Sequence, residues 1–208
     1  MKILALEFST TCKSVALAID GVVQAEVSDD QFTHPLLLIE ETLKQAGASK
    51  ADIEAMALGI GPGSYTGIRL SIAIAQGLYA AAAAPKVIPV NSLLAVAHQA
   101  REKGMRGKVH VIADAQRGEL YKISYMLSEA DVTEMEALHL GKPQDFRGDE
   151  AVIGPQAERF IKGGQNINPR AGMVAQLAER NPQAQTPETI EPTYLRQTAF
   201  VKVSPAKT

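Results

Sequence analysis

The chain has 208 residues, 46% hydrophobic and 21% charged, a composition typical of a globular protein with a proper core. Its formal net charge of −2 argues against a chain that holds a nucleic acid backbone by itself. A single cysteine excludes an intramolecular disulfide and suits a reducing compartment.

The N-terminal half predicts one α/β lobe over residues 1–103. Residues 2–8, 14–19 and 22–27 read as strands, and Asp20-Gly21 between the last two is a hairpin signal. Helices are predicted at 33–45, 67–84 and 92–101, and strands at 53–58 and 87–90, which gives the order βββαβαβα. The first strand lacks the apolar length of a signal peptide, and the run 70–84 is too short to span a membrane. We therefore expect a cytoplasmic protein without a membrane partner.

A charged, glycine-bearing stretch at 102–107 predicts the boundary of a smaller second lobe over 104–208. Strands are predicted at 108–113, 119–126 and 151–153, with a weaker one at 132–140. Short helices are predicted at 155–161 and 171–179. Residues 181–192 are rich in Pro, Gln and Thr and predict a surface loop before a small element at 193–196.

The most distinctive segment is Leu-Gly-Ile-Gly-Pro-Gly-Ser-Tyr-Thr-Gly-Ile-Arg at 58–69, between a predicted strand and a predicted helix. Its glycines permit close backbone approach, and Ser64 or Thr66 can cap the helix. The segment lacks the Gly-Lys-Ser/Thr of a P-loop. A structural turn and an anion-binding loop stay open as alternatives. The residues of the candidate anion or nucleotide loop are Gly61, Gly63, Ser64, Thr66 and Gly67.

Two carboxylates, Glu7 and Asp114, are predicted at the ends of the first strand of each lobe. They could hold a metal–nucleotide complex between the lobes, or they could cap tight turns. The four histidines show no i, i+4 metal pair, so we predict no metal site. No general base is evident beside Cys12 in the sequence, so a small buried cysteine is favoured over a catalytic nucleophile.

Two helices carry candidate partner-binding faces. Small residues recur along the helix after the glycine segment and would let another helix approach closely. Burial in the chain's own core and docking on a partner subunit are both compatible with these patterns. The candidate interface residues are Leu36, Ile39, Leu43, Ile72, Ala73, Gln76, Gly77 and Ala80.

Several segments resemble a known family. Residues 3–10 resemble the opening strand of the ASKHA superfamily (actin-like, ribonuclease H-like fold), which implies two lobes. Residues 59–69, 75–78, 114–121 and 191–196 together resemble the TsaB (YeaZ) family. Glu7 stands where members usually have Asp, and Gln116 where they usually have Arg.

The resemblance implies a non-catalytic subunit of the bacterial machinery that makes N6-threonylcarbamoyladenosine at tRNA position 37. The implied partners are the catalytic paralogue TsaD and the ATPase subunit TsaE. Helices of the first lobe would bind TsaD, or a second copy of this chain when the protein is alone. The chain would contact tRNA only as part of the complex. No cofactor is implied for this chain, and ATP or ADP at the complex interface stays open.

The resemblance also bears on catalysis. In the catalytic paralogue, Val-Asn is followed by two metal-binding histidines four residues apart. Here Val90-Asn91 is followed by Ser92 and Val96 at those places, which implies that the metal site is lost. The alternative function is a nucleotide-dependent phosphotransferase or ATPase of the ASKHA type.

Overall fold

Two five-stranded sheets organise the part of the chain that the computed structural model describes, residues 1–30, 34–81, 86–148, 150–193 and 195. The strands are β1 Lys2–Glu7, β2 Lys13–Ile19, β3 Val22–Asp29, β4 Ala55–Gly59, β5 Lys86–Val90, β6 Gly107–Asp114, β7 Leu120–Leu127, β8 Val132–Gly141, β9 Val152–Gly154 and β10 Gln165–Asn166. The α-helices are α1 Pro35–Gln45, α2 Tyr65–Ala81, α3 Ser92–Glu102, α4 Ala157–Phe160 and α5 Ala171–Arg180.

The two sheets repeat one topology. The first has the order β3-β2-β1-β4-β5 and the second β8-β7-β6-β9-β10, so each begins with an antiparallel three-strand meander. In each, the fourth strand pairs in parallel with the first and the fifth with the fourth. The second sheet is reduced at its far edge, because β9 has three residues and β10 has two.

The central strand β1 is buried on both faces, since its side chains alternate between two cores. Ile3 and Ala5 face the core that α5 covers, whereas Leu4 and Leu6 face the core under α1 and α2. A strand covered on both faces reads as a continuous apolar run, which the sequence from Ile3 to Leu6 shows.

The helices begin where side chains satisfy free backbone N–H groups. Asn91 accepts hydrogen bonds from the N–H groups of Leu93 and Leu94, and so caps α3. The Ser64 hydroxyl accepts from Gly67 N at 3.2 Å at the start of α2. Of the two predicted caps, Ser64 thus fills this role.

Two helices each pack against the sheet of the other half of the chain. The apolar face of α3 lies against the second sheet through Leu93, Val96 and Ala100. Conversely, α5 lies against the first sheet. Gln99 links α3 to the segment before α5, because its side chain donates to Asn168 O and accepts from Arg170 N, both at 2.9 Å. The predicted lobe boundary between residues 103 and 104 separates the strands of the two sheets. It does not separate α3 and α5 from the sheets that they pack against, and the two-lobe division stays a prediction.

The predicted element order agrees with the structure over the described residues, with differences of a few residues at most ends. The helix predicted at 155–161 is reduced to Ala157–Phe160, and the two-residue strand β10 was not predicted. Parts of three predictions, at residues 33, 82–84 and 194–196, fall wholly or partly outside the described residues. Of the described helices, none is both long enough and apolar enough to cross a membrane.

Candidate functional site

The glycine segment forms a loop that passes very close to the end of β1. A Cβ on Gly59 would collide with the Glu7 carboxylate, and one on Gly67 would collide with the Phe8 carbonyl oxygen. Gly61 has a φ of +85°, in the region that favours glycine. Gly61 and Gly67 are buried, so these two members of the predicted anion loop serve packing.

Glu7 is the most unusual group near this loop because it is a fully buried carboxylate. Its Oε1 accepts a hydrogen bond from Ser9 N and its Oε2 accepts one from Ser92 Oγ, both at 2.7 Å. Ser92 Oγ in turn accepts from Gly61 N at 3.1 Å. Burial raises the pKa of the Glu7 carboxyl, and hydrogen bonds to Ser9 and Ser92 partly offset that rise. Glu7 therefore anchors the loop and α3.

A cleft of about 530 Å³ lies between the two halves, beside the glycine loop. Hydroxyl and amide side chains, one carboxylate and several backbone segments line it. The lining residues are Ser9, Thr10, Thr11, Gly63, Ser64, Tyr65, Thr66, Ala113, Asp114, Ala115, Gln116, Tyr121, Pro155 and Gln156. Of the predicted loop, Gly63, Ser64 and Thr66 thus reach the cleft. Tyr121, Pro155 and Gln156 were not predicted, because they approach only through the fold of the second half.

Asp114 lines the cleft, but its carboxylate is already bonded within its own turn. Oδ1 accepts from Gln116 N at 2.7 Å and Oδ2 from Gln116 Nε2 at 3.1 Å. Gln116 and Arg117 both have positive φ angles, which this local bonding helps to hold. Asp114 could have held a metal–nucleotide complex or capped a tight turn, and its hydrogen bonds are those of a turn cap.

The side chains around this cleft bear on whether it could hold a metal–nucleotide complex. No lysine or arginine is among the described residues that line it, whereas phosphate sites commonly use such side chains. Glu7 is buried and does not line the cleft, so the two carboxylates are not brought together there. Nor do the described residues contain a group of three His, Cys, Asp or Glu side chains placed to hold a metal ion.

The predicted partner interface divides into buried and exposed residues. Ile39, Leu43 and Ile72 are only 3%, 5% and 7% exposed and lie in the core under α1 and α2. The prediction is therefore wrong for these three, because their spacing places them on the sheet-facing side of each helix. The remaining five, which are exposed, stay a prediction: Leu36, Ala73, Gln76, Gly77 and Ala80.

The chain is similar to proteins of tRNA modification. A family model described as "TsaD: tRNA N6-adenosine threonylcarbamoyltransferase" matches residues 4–184. The "tRNA threonylcarbamoyladenosine biosynthesis protein TsaB" of Escherichia coli (strain K12) is 40% identical over 132 residues, 62% of this chain and 57% of the relative. Its Haemophilus influenzae counterpart is 39% identical over 58% of this chain and 52% of the relative. The chain therefore spans little more than half of either relative.

Two further comparisons cover nearly the whole chain. The Bacillus subtilis (strain 168) protein of the same name is 25% identical over 94% of each chain. The solved structure "YeaZ from Pseudomonas aeruginosa" superposes with a TM-score of 0.79 at 24% identity, covering 93% of this chain and 99% of that one. This likeness shows the fold. The predicted fold class, an α/β ASKHA-like fold with a reduced second half, is confirmed.

Proposed function

Because this chain belongs to the TsaB (YeaZ) family, we propose that it acts in the biosynthesis of N6-threonylcarbamoyladenosine in tRNA. Its role is that of a non-catalytic subunit that binds and activates the catalytic paralogue TsaD. The ATPase subunit TsaE joins them, and tRNA is bound mainly by the partners. The net charge of −2 is consistent with that division of labour.

The observation that carries the non-catalytic role lies in the first turns of α3. Ser92 and Val96 occupy the places where the resemblance puts the metal-binding histidines of the catalytic paralogue. The Ser92 hydroxyl donates to Glu7, and Val96 is fully buried in the core of the second sheet. Both places therefore serve packing in this chain, and neither supplies an imidazole ligand.

The exposed face of α2 is the surface proposed to bind TsaD. Ala73, Gln76, Gly77 and Ala80 are exposed along about two turns. A Cβ added at Gly77 would meet no atom within 4 Å. Small side chains on an exposed face allow a second helix to approach closely. A homodimer of this chain would use the same face and would compete with TsaD.

The alternative is an ATP-dependent phosphotransferase or ATPase that works in the cleft. The 530 Å³ volume favours it, since small-molecule sites occupy cavities of that order, roughly 300–1,000 Å³. The lining without lysine or arginine among its described residues and the burial of Glu7 weigh against it. The non-catalytic subunit remains the better supported reading.

Reconstitution separates the two functions. Purified TsaD, TsaE, tRNA and the threonylcarbamoyl donor are combined with or without this chain, and modified adenosine is quantified by mass spectrometry. The proposal expects modification to depend on the chain and to persist when the cleft carboxylate is removed in Asp114→Asn. An equal rate without the chain contradicts the role in the pathway. Loss of modification in Asp114→Asn, with assembly intact, contradicts the non-catalytic role.

A further inference from the structure

A chain of four side chains crosses the second sheet beside the connector between β8 and β9, which is described at residues 142–148 and 150–151. His110 on β6 is only 2% exposed, and its Nδ1 lies 2.7 Å from Ser124 Oγ on β7. Ser124 Oγ lies 2.8 Å from Glu136 Oε2 on β8. At the other end, His110 Nε2 lies 3.4 Å from Glu150 Oε1 at the end of the connector.

The hydrogen positions in this chain follow from counting protons. A hydrogen bond from Ser124 and the ammonium of Lys108 lower the pKa of Glu136 to about 2, so its carboxylate only accepts. The one Ser124 hydroxyl proton therefore goes to Glu136, and His110 Nδ1–H must donate to Ser124. In the neutral ring, Nε2 is then a bare lone pair.

That lone pair faces a second acceptor. The backbone N–H of Arg147 donates to Glu150 Oε2 at 2.7 Å and lowers the pKa of the Glu150 carboxyl, which is thus ionised near neutral pH. The contacts Glu136–Ser124, Ser124–His110 and His110–Glu150 need three protons in all. With a neutral His110, only the Ser124 hydroxyl proton and the His110 Nδ1 proton are available. A proton taken up at Nε2 supplies the third hydrogen bond, to Glu150 Oε1.

The charged groups that face His110 oppose one another. Burial, followed by Lys122, lowers its pKa below the usual 6.5, and Lys108 acts in the same direction. Glu150 and Glu136 raise it but do not prevail. The neutral ring is therefore the main form near neutral pH, and the proton is taken up in mildly acidic solution.

The connector rests on this same histidine. The Phe146 ring meets the His110 ring edge-on, with centroids 5.7 Å apart and planes at 80°. Lys122 Nζ lies 4.8 Å from the centroid of the Phe146 ring. Beyond the connector, β9 pairs with β6 at His110 and leads to Pro155 and Gln156 in the lining of the cleft.

We propose that His110 is a proton-operated clasp, in which protonation of Nε2 closes the contact with Glu150 and fastens the described part of this connector to the second sheet. The proposal is independent of the proposed function. The Ser124–His110–Glu150 series is not a hydrolytic triad, because Ser124 is fully buried and its hydroxyl donates to Glu136.

Nuclear magnetic resonance of the ¹⁵N-labelled full chain tests the clasp. At pH 8 the His110 ring should be the Nδ1–H tautomer. On acidification it should titrate below its usual range, and the backbone amides of Phe146, Arg147 and Glu150 should shift with the same midpoint. An Nε2–H tautomer at pH 8, no titration before unfolding, or amides that do not follow the ring would each overturn the proposal.

A variant of the acceptor provides the second arm. In Glu150→Gln the side-chain amide can donate to the bare Nε2, so the contact should be closed at every pH. The connector amides should lose their pH dependence, and the His110 midpoint should fall by about one unit because an attractive charge is removed. Glu134→Gln, an exposed change on β8, serves as the matched control and should leave both unchanged. Unaltered titration in Glu150→Gln would overturn the clasp.

Discussion

The Ser92 hydroxyl donates a 2.7 Å hydrogen bond to Oε2 of Glu7, and thereby ties the first turn of α3 to the end of β1. The same hydroxyl accepts from Gly61 N, so one side chain holds a helix, a strand and the glycine loop together. Ser92 thus has a structural use in this chain.

Removing this hydroxyl should destabilise the fold. In Ser92→Ala, the Glu7 oxygen and the Gly61 N–H lose a partner while buried, which typically costs about 1–3 kcal/mol. Urea denaturation gives the change in the free energy of unfolding. Ser28→Ala, an exposed serine on β3, is the control and should change it by less than about 0.5 kcal/mol. Equal effects of the two changes would contradict this role of Ser92.

Glu7 should make stability depend on pH. Its folded-state pKa is raised above the usual 4.5, so between the two values the folded chain binds more protons than the unfolded chain. Stability should therefore fall as pH rises through that window, by up to about 1.4 kcal/mol per pH unit. In Glu7→Gln this component should vanish, whereas the exposed Glu134→Gln should retain it. Unfolding curves with parallel pH profiles in wild type and Glu7→Gln would refute the assignment.

The two glycines of α2 should respond oppositely to alanine. Gly67→Ala places a Cβ against the Phe8 carbonyl oxygen and should cost about 1–3 kcal/mol or more. Gly77→Ala adds a Cβ in open space on the same helix and should stabilise by up to about 1 kcal/mol. Thermal denaturation measures both. A tolerated Gly67→Ala would mean that the loop is not packed as described.

Bulk on the exposed face of α2 should weaken binding to TsaD without unfolding the chain. Gly77→Leu or Ala73→Leu adds an isobutyl group to a face proposed to accept a closely packed helix. Overpacking of about 1–3 kcal/mol corresponds to roughly 5- to 150-fold weaker affinity. Titration calorimetry measures the affinity, with the exposed Ala130→Leu as control. Wild-type affinity in both variants would show that the interface lies elsewhere.

The isolated chain should not bind ATP with magnesium. None of the described residues of the cleft lining is a lysine or an arginine that could pair with the phosphates. Titration of MgATP to about 1 mM, near the upper end of ordinary substrate constants, should therefore give only the heat of dilution. A saturating isotherm that Asp114→Asn abolishes would favour the nucleotide-dependent enzyme instead.

Local signals predicted the fold well. Asp20-Gly21 predicted its hairpin because both positions adopt positive φ angles that these residues tolerate. The contacts of the candidate site could not be predicted from the sequence, because they join residues far apart in the chain. Ser92 and Glu7 are 85 residues apart, and Gln99 and Arg170 are 71 apart. Helical spacing also could not tell the buried Ile72 from the exposed Ala73, since it defines a face but not what covers it.

We propose that this chain is needed for N6-threonylcarbamoyladenosine in tRNA. The most direct measurement is to deplete it in its host and quantify the modified nucleoside in bulk tRNA by mass spectrometry. We expect the modification to collapse while TsaD is still present, and the wild-type chain to restore it. Unchanged modification in fully depleted cells would show that the chain is not needed for it.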